Sequence, residues 1–142
     1  MKKTVLALGA GALLLATAGA ALAHHSGAMF DSAKEVTLSG TVKEFQYTNP
    51  HSWLVVNVPD ASGKVTEWSF EAEGPSTLLR AGIKKSSLMP GDKVTVKGHP
   101  LKDGRPGAGL MNVTKADGTV LNPRPGAPRP AGAPAPAARP AG

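Results

Sequence analysis

Between Val36 and Leu121, apolar residues recur at every second position over several short runs, the period of strands that bury one face. In Val36-Thr37-Leu38-Ser39-Gly40-Thr41-Val42-Lys43, the apolar Val36, Leu38 and Val42 share one face with Gly40. A glycine on that inner face predicts a bulge or a sharp coil of the strand. Phe45 breaks the parity, so a second irregularity is expected near Glu44. Asn49-Pro50 stops the run, because proline donates nothing to a ladder. Trp53 to Val58 is apolar on both faces at first and reads as a central strand. After the turn Pro59 to Gly63, Val65 to Ala72 alternates again, with Trp68, Phe70 and Ala72 inside and Glu67, Ser69 and Glu71 outside. These two runs predict an antiparallel hairpin.

Gly74 to Gly82 reads as one short helix, with Pro75 at its first position and Gly82 past its end. Leu78, Leu79 and Ile83 are expected to plug one end of the fold. Met89-Pro90-Gly91-Asp92 has the composition of a type II turn. Lys93 to Gly98 is a fourth strand and Ala108 to Thr114 a fifth, separated by the loop around Asp103 to Gly107. Asp117-Gly118 leads into a last short run, Thr119 to Leu121. Three strands, a helix and two strands, with a long coiled first strand, predict an all-β protein. The layout is that of a small five-stranded antiparallel barrel of the OB-fold kind, with the helix between strands three and four. Another small antiparallel barrel or a sandwich is the competing architecture. The expected core is Val36, Leu38, Val42, Leu54, Val56, Trp68, Phe70, Leu78, Leu79, Val94, Val96, Leu110 and Val113.

The two ends are of another kind. Lys2 and Lys3 precede an apolar run from Val5 to Ala16, and Ala21-Leu22-Ala23 has the small-x-small pattern of a cleavage site. Residues 1–23 therefore read as a cleaved signal peptide, and the mature chain is expected to be periplasmic or secreted, with no membrane span once the signal is removed. Residues 24–122 form the expected domain. Residues 123–142 are a tail of Pro, Ala, Gly and Arg, read as an extended disordered segment. Composition then narrows the function. The chain has no cysteine, so neither a disulfide nor a thiolate metal site is available. Its formal charge of +6 is carried mostly by the ends, because residues 24–122 hold 11 basic and 10 acidic side chains. That balance argues against a nucleic-acid partner.

Several stretches together resemble an uncharacterised family of small exported bacterial proteins, described only as a domain of unknown function. They are His24-His25-Ser26 after Ala-Leu-Ala, Met29-Phe30-Asp31, Val36 to Val42, Thr48-Asn49-Pro50-His51-Ser52-Trp53, Trp68-Ser69-Phe70-Glu71 and Leu88 to Val94. The resemblance spans roughly residues 24–121. It implies a periplasmic address and no reaction, cofactor or catalytic residue.

Candidate chemistry centres on Tyr47 to Trp53. Cleavage after Ala23 would make His24 the amino terminus, whose amine and ring nitrogen can chelate one metal. A third nitrogen from His25 or His51 would complete a planar or T-shaped site of the kind that suits copper(II). Met29 or Met111 could add a soft sulfur for copper(I). The plainer alternative leaves the His-His pair as a solvated end, His51 as a loop cap and His99 as the end of strand four. A second candidate is a glycan or envelope-protein site formed by Tyr47, Asn49 and Trp53 with Arg105 from the loop after strand four. Nucleophile elbow, paired catalytic carboxylates and phosphate loop are all missing, so the chain is read as a binding module and not an enzyme.

Overall fold

A computed structural model of the chain describes residues 27–124. The signal segment, His24, His25 and the tail beyond residue 124 lie outside the described residues. Six strands and one helix follow the expected order: β1 Val36–Gln46, β2 Ser52–Pro59, β3 Val65–Ala72, α1 Pro75–Arg80, β4 Lys93–Pro100, β5 Gly107–Lys115 and β6 Val120–Leu121. Strand order is β3-β2-β1-β4-β5-β6, and a further pairing of β3 with β5 closes the first five into a barrel. That closing pair is parallel, whereas the other pairs are antiparallel. Five strands in a ring cannot all alternate in direction, so one parallel pairing is obligatory.

The length of β1 lets it serve two neighbours. Its first half pairs with β4 and its second half with β2, with Thr41 opposite both Asn57 and Lys93. Gly40 marks the crossing. A Cβ there would lie 2.3 Å from the Asn57 carbonyl oxygen, so glycine allows a close backbone approach instead of forming a bulge. The bulge is three residues on. Val42 pairs with Val56 and Glu44 with Val55, which leaves Lys43 as the extra residue and returns Phe45 to the interior.

Leu54, Val56, Phe70 and Val96 are completely enclosed at the centre of the barrel. The ring of Trp68 stacks on Phe70 at 6.1 Å and is half-buried, as are Val36 and Leu38 at the periphery of the core. Helix α1 begins at Pro75 after an extended Gly74, whose carbonyl accepts from the Thr77 and Leu78 amides. Only Leu78 of this helix is buried. The expectation that Leu79 joins it is corrected: Leu79 is 58 % exposed. A helix of six residues offers the core one narrow stripe. The missing bulk comes from Ile83 and Leu88 in the following segment, both buried. The Met89–Asp92 turn forms as expected, closed by the Asp92 amide donating to the Met89 carbonyl at 3.0 Å. Beyond β6 the chain stays in contact with the barrel: Pro123 is fully buried, its apolar ring packing where a charged residue would not. Among the described residues no helix is long and apolar enough to cross a membrane.

Candidate functional site

The segment between β1 and β2 is held from both sides. The Tyr47 hydroxyl lies 3.0 Å from the carbonyl oxygens of Pro75 and Ile83, to which it donates, tying the end of β1 to both flanks of α1. Its ring meets Phe45 edge-on at 5.6 Å. The Thr48 hydroxyl donates to the His51 carbonyl, and the buried Ser52 hydroxyl donates back to the Thr48 carbonyl. Asn49 and Pro50, joined by a cis peptide bond, lie against Gly74, where a Cβ would come within 2.5 Å of the Pro50 carbonyl oxygen. Loop position is thus set before any ligand arrives.

His51 stands at the end of this loop and directs Nδ1 at the Glu71 carboxylate. The Glu71 side chain is only 9 % exposed, while that of His51 is 37 % exposed. A carboxylate so enclosed requires a donor. It accepts from Nδ1–H, so Nε2 is the ring nitrogen without a hydrogen-bond partner among the described residues. Imidazoles that bind metals are commonly oriented by a carboxylate in this way.

Strand register places Glu71 in a longer row. Gln46, Trp53, Glu71, Gly109 and His99 lie opposite one another across β1, β2, β3, β5 and β4. They share the outer face, because Leu54, Phe70, Ala108 and Gly98 beside them point inward. At about 4.8 Å per strand, Glu71 and His99 stand about 10 Å apart with Gly109 between them. The Phe30 ring fills that interval. A Cβ on Gly109 would meet it at 3.2 Å. The segment that brings Phe30 there runs beside the end of β4, with Phe30 bridging Leu101 and the Asp31 amide donating to the Pro100 carbonyl. At its start Asp31 accepts a hydrogen bond from Lys34, which with the Ala33 amide holds its carboxyl below the usual value.

Together these parts enclose a groove of about 390 Å³ on the outer wall of the barrel. His51, Glu71, His99, Met111 and Asn112 all line it. Nδ1–H of His99 donates to the Lys34 carbonyl at 2.7 Å, and Nε2 of that ring has no partner among the described residues. Arg124 and Glu73 also line it, joined by a bond from Arg124 Nε to the Glu73 carboxylate at 2.8 Å. Gly27, at the beginning of the described chain, lines the same groove. No three His, Cys, Asp or Glu side chains converge to hold a metal ion among the described residues.

Of the candidate ligands singled out in the sequence, His51 and Met111 line this groove and Met29 does not. His24 and His25 lie outside the described residues. Tyr47 is occupied in tying α1 and borders a separate depression with Leu88 and Met89. Asn49 is exposed beside Gly74. Trp53 is half-buried on the outer row next to Glu71, and Arg105 is folded onto Asp103 through a 2.7 Å bond from Nε. Neither lines the groove. Phe30, Glu71 and Arg124 were not among the site residues expected from the sequence, and His99 read there only as a strand end. One signal was present in the chain: a glycine at an outward strand position, Gly109, often marks the close approach of another group.

No curated protein and no solved structure matches the chain. One family model does, over residues 11–111, a span that takes in the Tyr47–Trp53 loop, β1 to β4, and β5 as far as Met111. With most of its length covered, the chain belongs to a family of unknown function, DUF6152.

Proposed function

We propose that the protein is an exported binding module of the periplasm, and not an enzyme, that holds a copper ion at the edge of the His51 groove. The amine and ring of a mature amino-terminal His24 supply two nitrogens, and His51 Nε2 supplies a third, with His25 beside them. One observation carries this reading: Gly27 lines the same groove as His51. Two residues separate Gly27 from His24, and an extended chain covers about 10 Å over those three Cα steps. His51 needs no rearrangement to take part, because Glu71 already occupies its other nitrogen.

The test compares the mature protein beginning at His24 with a version carrying one extra alanine before it. Both are titrated with copper(II) in a calorimeter. The extra residue moves the amine out of chelating distance of the His24 ring, and affinity is expected to fall by about tenfold or more. Equal affinities would sink the amino-terminal site. His51→Ala is expected to weaken binding in the native-start protein by a similar factor. Affinity should decline with falling pH, since amine and imidazoles must lose protons to coordinate.

A further inference from the structure

The geometry points to Met111 as a thioether ligand that lets this groove hold copper(I) as well as copper(II). The inference rests on the copper reading above and adds a ligand and an oxidation state to it. Its basis is a bulge in β5. Lys97 pairs with Asn112 and Gly98 with Leu110, so Met111 is an extra residue with no partner on β4. Leu110 and Val113 both point into the core. The two residues between them therefore share the outer face, and both line the groove with His51. Without the bulge, strict alternation could not keep Leu110 and Val113 inside together. The strand thus interrupts its ladder where an unbranched thioether lines the groove.

The sequence offered Met29 and Met111 on equal terms, and the structure separates them. Met29 is 43 % exposed and does not line the groove. Met89, also exposed, borders the depression beside Tyr47. Thioether sulfur is a soft donor that favours copper(I), whereas imidazole serves both oxidation states. A site with His51 Nε2 and Met111 Sδ keeps two protein ligands when the ion is supplied reduced. Binding of either ion involves no electron transfer by the protein.

The experiment uses the whole mature chain. Copper(I) affinity is measured without oxygen by competition with a chromophoric copper(I) chelator, and copper(II) affinity by calorimetry. Met111→Leu conserves volume and should fold, which thermal unfolding of the metal-free protein checks. Met111→Gln provides a second unbranched replacement without sulfur. Both variants are expected to lose about tenfold or more in copper(I) affinity while copper(II) affinity stays within about twofold. The copper–sulfur scattering shell in X-ray absorption of the copper(I) protein should vanish with them. Unchanged copper(I) affinity, or a spectrum without sulfur in the parent protein, overturns the inference. The extra-alanine protein keeps the two ideas apart. If it matches the parent for copper(II) while Met111→Leu still loses copper(I), the amine site falls and the thioether ligand stands.

Discussion

In β1 the extra residue is Lys43, and in β5 it is Met111. Each bulge puts two successive residues on the outer face and restores the interior on its far side. After Lys43 and Glu44 the chain returns Phe45 to the core, and after Met111 and Asn112 it returns Val113. What differs is the covering. Lys43 and Glu44 face solvent, and Lys43 spends its charge on an exposed ion pair with Glu67, whose carboxylate raises the amine above its ordinary value. Met111 and Asn112 face a groove walled by Phe30, His51 and His99. The same backbone device therefore serves packing in one strand and builds a recess in the other. A bulge gains functional meaning here from the segment lying over it.

The most severe break in this comparison is at Phe45. Phe45→Ala removes the ring that the β1 bulge returns to the core and should cost about 3–5 kcal/mol in urea unfolding. Copper(II) affinity of whatever remains folded should not change. Gly109→Val comes next. Its side chain would displace Phe30 from the row between Glu71 and His99, at a cost of about 1–3 kcal/mol. This variant should bind copper(II) more weakly, because the segment leading back to His24 moves with Phe30; unchanged affinity would show that the cover is irrelevant. Tyr47→Phe deletes the hydroxyl that ties β1 to α1 and should cost about 1 kcal/mol by thermal unfolding, with no effect on metal. Lys43→Ala should leave both stability and copper binding unchanged within error, whereas Met111→Leu loses copper(I) affinity.

The smallest effect expected is an acid one. The Ser62 hydroxyl, and then the amides of Ser62, Lys64 and Gly63, hold the Asp60 carboxyl below its ordinary value. Because the folded-state value is the lower one, its contribution is present above the ordinary carboxylate value of about 3.9 and is lost as pH falls through the depressed one. Asp60→Asn should flatten that part of the acid limb in thermal unfolding. A limb identical to the parent's would show that the turn exerts no such pull.

Most of the barrel was legible because each strand carried its own period and each turn its own chemistry. Even the irregularity near Glu44 could be read, since Phe45 fell on the wrong parity for a regular strand. Met111 gave no such warning. Its bulge exists only relative to β4, and the register of two strands is not written in either alone. Glu71 looked like an ordinary outward residue of β3 until the neighbouring strand set His51 beside it. His99 does end a strand, as expected, yet its tautomer is set by Lys34, which is remote in the chain and adjacent only after folding. Leu79 was misplaced because a pattern of apolar residues does not say how few turns a helix will have.

The parallel pairing of β3 with β5 has a bearing on how the chain acquires its shape. It joins Ser69–Glu71 to Gly107–Gly109 across the helix, its following turns and the whole of β4. Contacts between such distant segments bring a large loop-closure entropy and slow the search for the native state. A chain stopped before Gly107 has no β5, so β3 and β4 would each keep an open edge able to pair with another molecule. Ring closure is thus the step that turns a sticky sheet into a self-contained one, and it waits for nearly the last strand.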